Sequence, residues 1–133
     1  MARITTVDFP IEIPLVKKGE HWVARAGNKE LKLSNLDKVY FPERGYTKGD
    51  LLHYYFNISP TMLPHLVKRP LTLKRMPEGI HGDFFYEKNA PSYTPDWMPT
   101  ISVAAEGKTI NFLSVADAAD MLWLANLGCI EFH

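Results

Sequence analysis

The sequence predicts an α+β domain of mixed or antiparallel β-hairpins with two or three helices. Three observations carry this. Short apolar or alternating segments come in pairs joined by turn residues: "HWVARAG" with "LKLS", "RPLTLKRMP" with "GDFFYEK", and "ISVAA" with "INFLS". Thr47, with Asp50 three residues on, has the form of a capping box before an apolar helical face. Ala118, Met121, Leu122 and Leu124 share a second helical face in a stretch that ends at Gly128.

Taken in chain order, residues 1–20 read as an arm with a short strand and a Lys17-Lys18-Gly19 turn. "GNKE" turns the first hairpin. Residues 35–50 are a polar, glycine-bounded loop with an ordered piece around Val39 to Phe41. The helix after Thr47 is expected to stop at Ser59-Pro60, where a second helix starts through Met62, Leu63 and Leu66, because proline is tolerated only in a first turn. "PSYTPDWMPT" is a Pro-rich loop, and "EGKT" turns the third hairpin. Ser114 is expected to cap a helix from about Val115 to Leu127, and "CIEFH" to be a last strand. There is no internal repeat.

The length of 133 residues suits one domain, and an apolar share of 46% suffices for a core. The longest apolar run, "MLWLANLGCI", is too short to span a bilayer, and no signal peptide is legible. A cytoplasmic globular domain with no membrane partner is therefore expected. The lone Cys129 has apolar neighbours and reads as a buried thiol. The net charge of zero hides a division. Residues 1–88 hold 14 Lys and Arg against 10 Asp and Glu, a net of +4, and residues 89–133 hold one against five, a net of −4. A bulk polycation is excluded, but a local basic site is not.

His21, His53, His65 and His81 show no ligand spacing, and no glycine-rich phosphate loop or nucleophile motif is present. Asp117 and Asp120, one helical turn apart near a helix start, read as surface acids that match the helix dipole. Two stretches remain. In "DKVYFPERGYTKGD", Lys38 and Lys48 flank a turn and Lys48 opens a helix; the pair is either solvated or, with the helix's amide donors, a phosphate pocket. In "LKRMPEGIHGDFFYEK", Lys74 and Arg75 end one strand while Phe84, Phe85 and Tyr86 fall on the next. Rings and cations at one sheet edge either bind unpaired bases and backbone, or split between core and exposed rim.

"LSNLDKVYFPERGYTKGDLLHYY", "RPLTLKRMPEGIHGDFFYEKNAP" and "MLWLANLGCIEFH" together resemble the polymerase domain of the end-joining DNA ligase D, in the archaeo-eukaryotic primase superfamily. The resemblance runs from about Leu31 to His133, with residues 1–30 as an arm and first strand that match only loosely. It implies template-dependent nucleotide addition at broken DNA ends and recognition of a 5′-phosphate. On the matching positions, it implies Asn35, Lys38 and Lys48 for the 5′-phosphate, and Arg75, Phe85 and Tyr86 for the template. Lys74 and the closing His133 are implied at the nucleotide. The family's metal-binding Asp-x-Asp follows that histidine, and neither Asp-x-Asp nor Asp-x-Glu occurs in these 133 residues.

The expectation is a DNA-end-binding half of a polymerase domain, acting in non-homologous end joining, inactive alone and without a metal site of its own. Manganese or magnesium enters only if a partner chain supplies the carboxylates and completes a two-chain nucleotidyltransferase. A third reading is a protein-interaction domain among DNA ligase and end-joining proteins. An exposed edge strand at "CIEFH" favours a partner or self-association.

Overall fold

A computed structural model describes residues 4–26 and 28–132. It is α+β, with ten strands and two helices among those residues. The predicted hairpins are present. The first belongs to a three-stranded antiparallel sheet of β1 (Leu15–Lys18), β2 (His21–Ala26) and β3 (Lys29–Leu33). Trp22 pairs with Leu33 and Ala24 with Leu31, so the two-residue period of the strands turns Ala24, Leu31 and Leu33 into the core.

The piece expected around residues 39–41 is β4 (Val39–Phe41), which pairs with β5 (Tyr46–Thr47) and leads into helix α1 (Lys48–Leu66). Thr47 caps α1 as predicted. Its hydroxyl accepts the Asp50 amide at 3.1 Å, and the Asp50 carboxylate accepts the Thr47 amide at 2.9 Å. Such a cap contributes about 1 kcal/mol.

The break expected at Ser59-Pro60 does not occur: α1 runs through Pro60 and Pro64 as one helix of 19 residues. Pro60 removes the amide that would serve the Phe56 carbonyl. The buried Ser59 hydroxyl donates to that same carbonyl at 2.9 Å and satisfies it instead.

Strands β6 (Leu73–Arg75), β7 (Phe85–Glu87) and β10 (Cys129–Phe132) form a second antiparallel sheet in the order β10-β6-β7. The third hairpin is β8 (Thr100–Ala105) with β9 (Lys108–Leu113). Helix α2 (Ala118–Asn126) packs on α1, β3 and β10, and Met121, Leu122 and Leu124 are at most 1% exposed.

The cap of α2 also differs from expectation. Asp117, not Ser114, holds the N-terminus in a second capping box with Asp120. Ser114 is buried, and its hydroxyl has no hydrogen-bond partner among the described residues. Nor is Asp120 a surface acid: it is 0% exposed, accepts the Ala116 amide at 2.8 Å and binds Lys29 Nζ at 2.9 Å. Burial disfavours the Lys29 ammonium, but the bonds to Asp117 and Asp120 outweigh it and leave its pKa above the usual lysine value. Cys129 is buried as expected, and burial pushes its thiol up to about 12. No helix among the described residues is long and apolar enough to cross a membrane.

The arm before β1 is tied to α1 by polar contacts. The Thr6 amide and hydroxyl donate to the two Asp50 oxygens, each at 2.7 Å, and the Thr47 hydroxyl donates to the Ile4 carbonyl at 2.5 Å. His53, buried, donates from Nδ1 to the Gly49 carbonyl and accepts the Ile13 amide on Nε2.

Candidate nucleic-acid interface

The residues expected at the phosphate converge on one turn. The Asn35 carbonyl accepts the Lys38 amide at 3.0 Å, the Lys38 carbonyl accepts the Lys48 amide at 2.7 Å, and the Leu36 carbonyl accepts the Gly49 amide at 2.7 Å. Asn35 is exposed, with a φ of 56°. These bonds revise one part of the expectation. The first amides of α1 are taken by the chain's own carbonyls and the Thr47 hydroxyl, so an anion here meets lysine side chains rather than free amides.

The two lysines are also not a solvated pair. Lys48 is 3% exposed, and its Nζ donates to the Ser34 carbonyl at 2.7 Å. Among the described residues no carboxylate is paired with it. Burial, with the charges of Lys38 and Arg75 nearby, pulls its pKa down to about 8. Lys38 is half-buried and donates to the Pro77 carbonyl at 3.0 Å and to Glu78 Oε2 at 2.7 Å. The 76–79 turn that offers these acceptors is clamped from behind. The Met76 amide donates to the Gly128 carbonyl at 2.7 Å, and a Cβ on Gly128 would lie 2.9 Å from Pro77 Cα. Gly128 has a φ of +86°, so glycine both ends α2 and admits this turn.

Phe85 and Tyr86 stand on β7, an edge strand, with Phe84 just before it, and they are in register with the cations of β6: Arg75 pairs with Phe85 and Lys74 with Tyr86. None of the three enters the core. Phe84, Phe85 and Tyr86 are 53%, 44% and 57% exposed, so the division between core and rim is not what the structure adopts.

Adjacent strand residues point to opposite faces, and the cations follow. Lys74 Nζ lies 4.4 Å from the Phe84 ring centroid and 6.0 Å from that of Tyr86, and those two rings meet edge to face. The Arg75 guanidinium lies 4.9 Å from the Phe85 centroid. Phe85 and Tyr86, expected to act together, are thus assigned to different faces. Arg75 is braced by the Leu127 carbonyl at 3.0 Å, Glu87 at 3.1 Å and the Tyr93 hydroxyl at 3.2 Å. Lys74 also lies 3.6 Å from Glu131. His133, expected at the nucleotide, lies outside the described residues.

Sequence reasoning did not single out Glu78 or Tyr93. Turn residues were expected between "RPLTLKRMP" and "GDFFYEK", but no spacing rule ties residue 78 to a lysine 40 positions earlier. Among the described residues no group of three or more His, Cys, Asp or Glu is placed to hold a metal ion. An apolar cavity of about 560 Å³ lies elsewhere, between the arm (Val7, Phe9), α1 (Tyr54, Met62) and Ile130 of β10.

Comparison with known proteins places the chain in a family. The family described as LigD, primase-polymerase domain, matches residues 47–133. The multifunctional non-homologous end joining DNA repair protein LigD of Mycobacterium tuberculosis is 33% identical over 108 residues, 81% of this chain and 14% of that protein. The bifunctional LigD of Bacillus subtilis is 32% identical over 104 residues, 78% of this chain and 16% of that protein. Among solved structures, the polymerase domain of M. tuberculosis ligase D in complex with DNA superposes with a TM-score of 0.74 at 33% identity, covering 77% of this chain and 36% of that one. This chain therefore spans about a seventh of the curated relatives. It belongs to the LigD primase-polymerase domain family.

Proposed function

We propose that this chain binds DNA ends in double-strand break repair by non-homologous end joining, with Lys38 and Lys48 holding a 5′-phosphate and the β7 edge holding the template strand. The observation that carries it is Lys48. A buried ammonium with cationic neighbours and no paired carboxylate among the described residues is unfavourable in an empty site and favourable beside a dianion. Asn35 lies on the same turn, exposed, and adds an amide at its rim.

The two faces of β7 divide the remaining roles. Phe85, with the Arg75 guanidinium over its ring, is proposed to take the first unpaired template base. Tyr86 and Phe84 surround Lys74 on the opposite face, where Lys74 meets the incoming nucleotide and Tyr86 borders the template; a nucleotide role for His133 is proposed from its position in the sequence alone. Stacking on an exposed ring is worth about 1–3 kcal/mol per base.

That M. tuberculosis ligase D polymerase domain was solved with DNA supports this reading. Nucleotidyl transfer requires carboxylates and manganese or magnesium beyond the residues described. They are proposed to come from the rest of a polymerase domain, whether on the same or a partner chain.

The test is anisotropy titration of a short 3′-overhang duplex, with a 5′-phosphate or a 5′-hydroxyl on the recessed strand, at two salt concentrations. Tighter, salt-sensitive binding of the phosphorylated duplex is expected, and its preference should vanish in Lys38→Ala/Lys48→Ala. Equal binding of both duplexes by the unmutated protein rejects the reading.

A further inference from the structure

We propose that Glu78 is a competitor built into the anion site: its carboxylate occupies Lys38 in the free protein, and a terminal phosphate must displace it to bind. The proposal rests on the phosphate reading above and names the residue that sets its affinity.

Three features support it. The contact is an ion pair of 2.7 Å between Lys38 Nζ and Glu78 Oε2, so the lysine meant for a phosphate already holds an anionic oxygen. The two partners differ in freedom. The Glu78 side chain is 68% exposed against 33% for Lys38, so the carboxylate can swing into solvent while the lysine stays. The backbone beneath it is fixed. Gly79 N donates to the Met76 carbonyl at 3.0 Å, closing a four-residue turn with proline second and glycine fourth. The Pro77 carbonyl accepts both Lys38 Nζ at 3.0 Å and the Tyr40 hydroxyl at 3.2 Å. The turn therefore presents Glu78 to Lys38 without depending on the Glu78 side chain for its shape. Lys38 keeps its bond to Pro77 when the carboxylate leaves.

The exchange has a consequence for selectivity. A terminal phosphate carries a charge of about −1.5 to −2, and a phosphodiester within the strand carries about −1. Both compete with a single carboxylate, and only the former brings a clear excess of charge to Lys38 and Lys48. Glu78 thus disfavours occupation of the site by internal backbone.

The experiment compares unmutated protein, Glu78→Gln and Glu30→Gln on the 5′-phosphate and 5′-hydroxyl overhang duplexes at one salt concentration. Glu30 of β3 pairs with Arg25 of β2 and controls for the lost negative charge. Glu78→Gln is expected to tighten the phosphorylated duplex roughly two- to fivefold, as for loss of an exposed ion pair, and more than Glu30→Gln does. Glu78→Ala should do the same. Binding by Glu78→Gln that is unchanged, weaker, or no tighter than with Glu30→Gln overturns the role of Glu78 while leaving the phosphate site standing. Absence of preference in the unmutated protein defeats the phosphate reading, and the competitor with it.

Discussion

Lys48 carries two costs at once, burial and like charge, and both act on the same proton. Its pKa of about 8 lies below the usual 10.5, so between those values the native state binds fewer protons than the unfolded chain. Its burden on stability is therefore fully present below pH 8 and lifts as pH rises toward 10.5. Binding runs the other way, because a phosphate needs the charged amine. The phosphate preference should be full near pH 7 and decline through pH 8 to 9 in titrations of the two duplexes, and it should be small and flat with pH in Lys48→Met. The same variant should melt at a higher temperature than the unmutated protein at pH 7, the trade expected where a site is strained for function.

Lys29 is the opposite case, a lysine whose charge the fold needs. It neutralises the fully buried Asp120, so Lys29→Met leaves an unpaired carboxylate in the core. The expected loss is roughly 3 kcal/mol in urea unfolding, and Asp120→Asn in the same chain should restore much of it.

Within elements, α1 shows how one side chain carries a helix past a proline. Ser59→Ala removes the donor that satisfies the Phe56 carbonyl and should cost about 1 kcal/mol, seen as a lower Tm. In a Pro60→Ala background the backbone amide returns, and Ser59→Ala should then be nearly silent. A full loss in both backgrounds would show that the hydroxyl serves another purpose.

Strand β7 shows what alternation does to adjacent rings. Phe85→Ala should weaken binding of the overhang duplex without nucleotide, by about 1–3 kcal/mol. Phe84→Ala, on the Lys74 face, should change it less. Equal losses would mean that both faces hold template.

At the scale of the whole molecule, the arm and the proposed anion site meet at the start of α1. Ile4, Thr6 and Ile13 bind Thr47, Asp50 and His53, while Lys48 between them turns to Ser34. Gly49 leaves no room for change, since a Cβ there would lie 2.1 Å from the Ile4 carbonyl oxygen. Gly49→Ala should release the arm, visible as faster amide exchange across residues 4–13 and a lower Tm. The phosphate preference should fall with it, because the cap that orients Lys48 loses its outer bonds.

What the sequence determined by itself was local. The hairpins, the Thr47 capping box, the Gly128 helix end and the apolar periodicity of both helices follow from interactions within a few residues, and each stands in the structure. The family was legible too, because long motifs occur in order.

Tertiary structure decided the rest. Ser59 carries α1 past Pro60 through a bond that propensity does not anticipate. Asp117, not Ser114, caps α2, in a capping box whose Asp120 is buried against Lys29, 91 positions away in the chain. Asn35, Lys38 and Lys48 were visible as candidates, but only packing buries Lys48, takes the helix amides for the loop's own carbonyls, and brings Glu78 against Lys38. Burial and charge proximity are sums over neighbours distant in sequence, and those sums set the electrostatics of the site.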